Sequence, residues 1–320
     1  MINGVIRDVD KVISRMNTHP EYSMCAAGRK SQALREEAEK HSLDIELLSE
    51  ERRLSRSKRA YFRSRLNGAY ELLVKEGIST STISRLGYLV EPKNNPTGGF
   101  RNEFIKFGGF NAPPPENVPY RVENLALFLE GSDFHPVIRA ANTHLELVEI
   151  HPYMDGNGRV ARLLQNFCLQ ERNYPLVVIR TDELKEYLGK IHNALRDRYN
   201  GDSSVHNPSI SETEFHDFIG QRVLRSAVSL EEELKKRRMY EIKLKKVGAP
   251  GVFGNVAQRL RSFGKRSNGG GVSVSIDKQE GKRRAGMLMV VGDIGKEDIE
   301  RILKSSSGKD GFDYHVEIGR

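Results

Sequence analysis

The sequence predicts a mainly α-helical protein that ends in a small α+β appendage, and three observations carry that reading. Apolar residues recur at helical spacing through most of the first 235 residues. One stretch, residues 91–119, abandons that spacing for Pro, Gly and Asn. Beyond residue 271, short β-rich runs surround a single helical segment.

Residues 1–66 are rich in charge at helical spacing, as in SQALREEAEKHSLDIELLSEERRLSRSKRAYFRSRL, and read as an N-terminal segment of one or two amphipathic helices. A further helix, LNGAYELLVKEG, opens the main domain, residues 67–235. The stretch EPKNNPTGGFRNEFIKFGGFNAPPPENVP has loop chemistry around one alternating run, Phe100 to Phe107, which predicts a short hairpin or extended flap. Two helices follow, ENLALFLEG and PVIRAANTHLELVEI. The second opens on Pro136, a favoured first position, and sets Val137, Ala140, Ala141, His144, Leu145 and Val148 on one face. A loop, HPYMDGNG, then interrupts before RVARLLQNFCLQERN resumes with Val160, Leu163, Leu164 and Phe167 on one stripe. After the apolar run PLVVIR come two more helices, with Thr181 as the expected N-cap of one and Ser211 with Glu214 as the capping box of the other. Residues 236–271, basic and broken by GAPGVFGN and NGGG, read as a flexible linker, and residues 272–320 as strand, strand, helix, strand.

At 320 residues, with 38% hydrophobic and 29% charged side chains, the chain exceeds one typical domain and reads as soluble. No apolar run approaches the roughly 20 residues that span a bilayer, so no membrane partner is expected. The start, MINGVIRDVDKVISRMNTHP, lacks the order of a secretory signal, and the expected location is the cytoplasm. Cys25 and Cys168 are too few for a disulfide framework or a four-ligand zinc site and read as packing residues. The net charge of +8 and pI near 9.3 suit a polyanionic partner. The excess collects between Lys235 and Arg284 and reads first as a solvated face. A nucleic-acid-binding regulator is the alternative from a different class, without a helix-turn-helix or zinc motif behind it. Self-association is left open.

The chemistry concentrates in HPYMDGNGRVAR, residues 151–162. A helix N-terminus exposes unpaired N–H groups, and flanking glycines let backbone approach phosphate closely, so Gly156, Asn157 and Gly158 form a candidate anion nest. Arg159 and Arg162, three apart, fall on neighbouring positions of the first turns and suit phosphate oxygens. Asp155 is acidic in an electropositive spot, which a Mg²⁺ ion between a carboxylate and phosphates explains. His151, with an ordinary pKa near 6.5, offers a neutral imidazole as general base. Each residue alone has an ordinary structural reading; their combination points to a nucleotide phosphate site.

This segment resembles the signature of the Fic family, HxFx(D/E)GNGRxxR, with Tyr153 in place of Phe, and the resemblance extends from about Leu66 to Lys235. It implies a Fic-type helical core and AMP transfer from ATP to a Ser, Thr or Tyr hydroxyl of a target protein. In that scheme His151 is the base, Asp155 holds Mg²⁺, Gly156 to Gly158 cradle the α-phosphate, and Arg159 and Arg162 reach the β- and γ-phosphates. A kinase branch of the family has Lys where this chain has Gly158, so the intact glycine favours adenylylation. The family's flap registers an extended target segment by backbone pairing, a role that falls here on Phe104, Ile105, Lys106, Phe107 and Gly108. Many members carry an inhibitory helix, (S/T)xxxE(G/N). The stretches Ser42 to Glu46 and Ser229 to Glu233 have the spacing, both followed by Leu. The first, within residues 42–50 and ahead of the core, is the stronger candidate. A Fic-type de-AMPylase, or transfer of another phosphate-containing group, is the alternative activity.

Overall fold

The computed structural model describes residues 2–18, 29–49, 55–236, 238–245, 251–266, 272–280, 285–292, 294–310 and 312–318. Cys25 and the Gly-rich stretch 268–271 lie outside them. The described residues contain eleven α-helices and six strands, divided into two compact units at about residue 230. No helix among them is long and apolar enough to cross a membrane.

The first unit is helical: α1 (Ile2–Asn17), α2 (Arg29–Ser49), α3 (Arg56–Glu76), α4 (Thr80–Val90), α5 (Val118–Gly131), α6 (Pro136–Ile150), α7 (Asn157–Glu171), α8 (Leu184–Tyr199) and the start of α9 (Ile210–Lys236). Its centre is the packed pair α6 and α7. Ala140, Ala141 and Leu145 on one and Val160, Ala161 and Leu164 on the other are wholly buried, and the alanines permit close approach. Pro136 takes the first helical position, as expected, and His135 caps it by accepting the Val137 N–H at 3.3 Å. Cys168 is buried in the same core with its thiol pushed up to about 11 by desolvation, in keeping with a packing role.

Several local expectations are corrected. α3 runs unbroken from Arg56, so the expected boundary at residue 66 falls inside a helix: Gly68 has open space around it and is tolerated. α4 is weakly signalled in the sequence, because STSTIS is poor in strong helix formers; Ser79 caps it by accepting the Thr82 N–H at 3.0 Å. Thr181 lies inside a short 3₁₀ turn, and the cap bond instead runs from the Arg180 N–H to Glu183 at 2.8 Å. The capping box of α9 is Ser209 with Glu212, two residues before Ser211 and Glu214; the same S-x-x-E spacing occurs at both places.

Between α4 and α5 the chain makes the hairpin β1 (Lys106–Phe107) and β2 (Phe110–Asn111). Gly108 and Gly109, at φ 52° and 89°, form its two-residue turn, a conformation that demands positive φ at both positions.

The second unit is a complete β-α-β-β-α-β module: β3 (Arg238–Lys245), α10 (Val252–Arg266), β4 (Val272–Glu280), β5 (Ala285–Gly292), α11 (Lys296–Asp310) and β6 (Asp313–Ile318). The sheet order is β4-β5-β3-β6, antiparallel throughout, with Ile242 opposite Leu288 and Val316. The strands and helix expected after residue 271 are present. The expected linker, residues 236–271, is a correction: β3 and α10 occupy much of it and belong to the module. Their apolar residues Tyr240, Ile242, Leu244, Val256, Ala257 and Leu260 are buried, but in the sequence they are interleaved with Lys and Arg. Glu241, Lys243, His315 and Glu317 occupy alternate strand positions on the opposite face, where Lys243 pairs with Glu317 at 2.9 Å.

Candidate active site

The loop between α6 and α7 begins where α6 must stop. Pro152 disfavours a right-handed helical backbone for His151, which adopts the left-handed region at φ 49°, ψ 58° while its N–H still bonds to Leu147 at 2.9 Å. The turn aims the imidazole into the site. Its Nδ1 lies 3.0 Å from the Val148 carbonyl, which can only accept, so Nδ1 carries the proton and Nε2 keeps a lone pair. Burial lowers the His151 pKa to about 4, with the nearby Arg101 charge acting in the same direction; the Val148 bond and Asp155 oppose them. The ring is therefore neutral at physiological pH. The flap covers it: Phe107 stacks on His151 with centroids 3.9 Å apart and planes at 15°.

Buried polar groups fasten the rest of the loop. Asn157 donates to the Tyr153 carbonyl at 2.8 Å and accepts its N–H at 3.0 Å. Its side chain thus staples the loop, and only its backbone can serve an anion at the start of α7. Asn95 bonds the carbonyls of Gly87, Glu91 and Asp155 and the N–H of Met154. Arg101 donates to the carbonyls of His151, Glu103 and Pro113, fixing loop and flap to one guanidinium. Tyr153 is wholly buried, with its hydroxyl donating to Ile83, so the residue that departs from the family signature gains a hydrogen bond in the core.

Gly156, at φ 85°, opens α7 and leaves the first N–H groups of the helix facing the loop. A Cβ on Gly158 would stand 3.3 Å from an Arg162 nitrogen, a tight contact, and 3.6 Å from Glu46, an ordinary one. Asp155 accepts from the Gly156 N–H and from Asn94 at 2.7 Å, and meets Arg159 at 3.4 Å. Arg159 is also paired with Glu91 at 3.1 Å and lies 3.8 Å from Glu46. Arg162 donates to the Ser42 hydroxyl at 2.8 Å, the Ser42 carbonyl at 3.0 Å, Glu46 at 3.3 Å and the Tyr187 hydroxyl at 3.2 Å. The structure therefore brings His151, Asp155, Gly156 to Gly158, Arg159 and Arg162 into one place, with Ser42 and Glu46 reaching it from α2.

The flap candidates divide. Phe107 reaches the base, Lys106 and Gly108 form strand and turn, Ile105 closes the hairpin by accepting the Ala112 N–H, and Phe104 points outward, 75% exposed. Sequence reasoning missed Glu91, Asn94, Asn95 and Arg101, whose shared signal is a concentration of polar residues in the glycine-rich stretch before the flap. It also missed Phe110, which holds the flap to α8 by packing against His192 and Tyr199 at 5.0 Å.

Residues 78–169, which hold this entire loop, match the family model of the Fic/DOC family. They form a Fic-family domain. Over 93 residues the chain is 38% identical to the protein adenylyltransferase Fic of Drosophila persimilis and to that of Aedes aegypti. These matches cover 28% of this chain and 18% and 19% of the two relatives, so it spans under a fifth of their length. The fold is shared more widely. A Fic domain containing signaling protein from Bacteroides thetaiotaomicron superposes with a TM-score of 0.60 at 20% identity, covering 71% of this chain and 97% of that one. Fic-1 from C. elegans gives 0.55 at 19%, covering 73% and 72%. The Fic domain here is thus a mainly α-helical core bearing a β-hairpin flap.

Proposed function

We propose that this protein transfers AMP from ATP to a hydroxyl side chain of a target protein, and that Glu46 restrains it at rest. The observation that supports this most is the convergence on one helix N-terminus of a neutral imidazole with a free Nε2, a carboxylate and two arginines. In the reaction the His151 Nε2 takes the proton of the incoming hydroxyl, whose oxygen bonds to the α-phosphorus. The bond from that phosphorus to the bridging oxygen of pyrophosphate breaks, and Arg162 and Arg159 meet the charge that leaves.

The donor set at Asp155 fits Mg²⁺, a hard ion that takes one or two carboxylates and completes its shell with phosphate and water. Among the described residues no cluster of three or more His, Cys, Asp or Glu is found. Bound there, Mg²⁺ would neutralise phosphate charge. In the resting arrangement Arg159 lies against Asp155, and Glu46 takes the Arg162 donor that a γ-phosphate would use.

A labelled-ATP incubation with Mg²⁺ and lysate, followed by mass spectrometry of modified peptides, tests the reading. Peptides carrying AMP on a hydroxyl are expected, and labelling that survives His151→Ala would remove the base from the scheme. The placement of Glu46 also favours a second reading, removal of AMP from a target with Glu46 orienting water. Under that reading Glu46→Ala abolishes release from a modified target; under the first it increases transfer.

A further inference from the structure

We propose that Tyr187 and His144 form a positioning relay that holds Arg162 in the orientation needed for the terminal phosphates of ATP once Glu46 yields. The inference rests on the nucleotide-transfer reading above and adds two residues to it.

The partners of Arg162 come from two sides. Ser42 and Glu46 lie on α2, and a phosphate that replaces the Glu46 carboxylate competes with that side. The Tyr187 hydroxyl, 3.2 Å from the other guanidinium nitrogen, comes from α8 and does not compete with a phosphate. A guanidinium can only donate, so the Tyr187 oxygen is the acceptor and its own proton must find another partner. His144 Nε2 stands 2.9 Å away, and both rings are buried, at 0% and 1% exposure. Were His144 to donate here as well, the Tyr187 proton would be stranded in a dry interior, at a cost comparable to a lost buried hydrogen bond.

The arrangement that leaves neither the Arg162 nor the Tyr187 proton stranded is a one-way chain. Its cost is a buried Nδ1 proton on His144 that makes no hydrogen bond of normal geometry and has only an interaction with the Gln165 side chain to favour it. Arg162 donates to Tyr187, Tyr187 donates to His144 Nε2, and the imidazole is neutral with its proton on Nδ1. Its surroundings keep the ring neutral: burial, with the Arg162 charge adding to it and the Gln165 side chain opposing, lowers the His144 pKa to about 3. His144 lies seven residues, two helical turns, before His151 on α6. The helix that carries the anchor for the phosphate-binding arginine thus ends directly at the base.

The test is calorimetric binding of a non-hydrolysable ATP analogue and of AMP to the Glu46→Ala protein, alone and combined with Tyr187→Phe or His144→Gln. Tyr187→Phe preserves ring volume and removes one bond to a charged group, so affinity for the ATP analogue is expected to fall about tenfold. AMP, which lacks the terminal phosphates, should bind within about twofold of the parent. His144→Gln can supply a side-chain oxygen as acceptor and should leave analogue affinity nearer the parent than Tyr187→Phe does. Unchanged analogue affinity in Tyr187→Phe would overturn the relay, as would a parallel loss for analogue and AMP, the mark of a merely structural role. If Tyr187→Phe does not fold, a His144→Leu variant carries the same comparison. A parent that binds neither nucleotide would overturn the nucleotide reading and the relay together, whereas a parent that binds both with an indifferent Tyr187 would overturn the relay alone.

Discussion

Removing the Glu46 carboxylate should release the site. Glu46 is 19% exposed at its side chain and stands 3.3 Å from an Arg162 that is 8% exposed. At an effective dielectric of about 20 the bare attraction at that distance is about 5 kcal/mol, most of which offsets the cost of desolvating both ions. The net worth of such a charge-assisted contact is about 1.5–3 kcal/mol. ATP must displace it to place a phosphate on Arg162, so Glu46→Ala should raise ATP affinity by about 10- to 150-fold. Alanine is the right replacement, because glycine inside α2 would cost about 1 kcal/mol of helix stability on its own. The assay is calorimetric titration with the ATP analogue beside single-turnover transfer, with AMP as the control ligand. The two Ser42 bonds persist in this variant, and Ser42→Ala should add a smaller further gain. Equal ATP affinity in Glu46→Ala and the parent would refute the reasoning: the pair would then be a surface contact with no hold on the nucleotide.

Because His151 is held neutral down to about pH 4, kcat/KM for transfer should stay flat between pH 5.5 and 8; a descending limb centred near 6.5 would mean an unperturbed imidazole. His144, His151 and His216 all have pKa values lowered by burial, to about 3, 4 and 4. Their stabilising contribution is complete above pH 6.5 and is lost as pH falls from there towards 4, by about 2 kcal/mol each at pH 5, measurable in urea melts. A Cβ on Gly87 would lie 2.3 Å from the Tyr153 ring, which its hydroxyl bond keeps from moving, so Gly87→Ala should destabilise by about 1–3 kcal/mol or more in the same melts. A fragment of residues 236–320 contains all four strands and both helices of the second unit and should unfold cooperatively by itself; a non-cooperative melt would show that its core needs the rest of the chain.

What the sequence could reveal was set by how local each signal is. The loop between α6 and α7 was legible because its base, turn, carboxylate and arginines sit within twelve residues, and a helix N-terminus has one geometry. Glu46 was legible only as a spacing, since nothing in the sequence brings residue 46 to residue 162. The packing of α2 does that. Glu91, Asn95 and Arg101 were hidden for a similar reason: each acts by hydrogen bonds to backbone groups or side chains far along the chain, and such bonds leave no periodic trace. β3 and α10 were missed because their inward apolar residues are diluted by lysine and arginine, so average composition masked an intact period of two and of 3.6. The tautomer of His144 depends on a donor from α7 and a hydroxyl from α8, and only the fold defines it.

The claim that AMP is the group moved, with His151 as base, is tested most directly by supplying the Glu46→Ala protein with ATP labelled at either the α- or the γ-phosphate, in the presence of Mg²⁺ and lysate protein. Label from the α-position should appear on a target hydroxyl, label from the γ-position should not, and both lanes should be blank when His151→Ala is added to the same variant. Label arriving from the γ-phosphate, or α-label that persists without His151, would contradict the account.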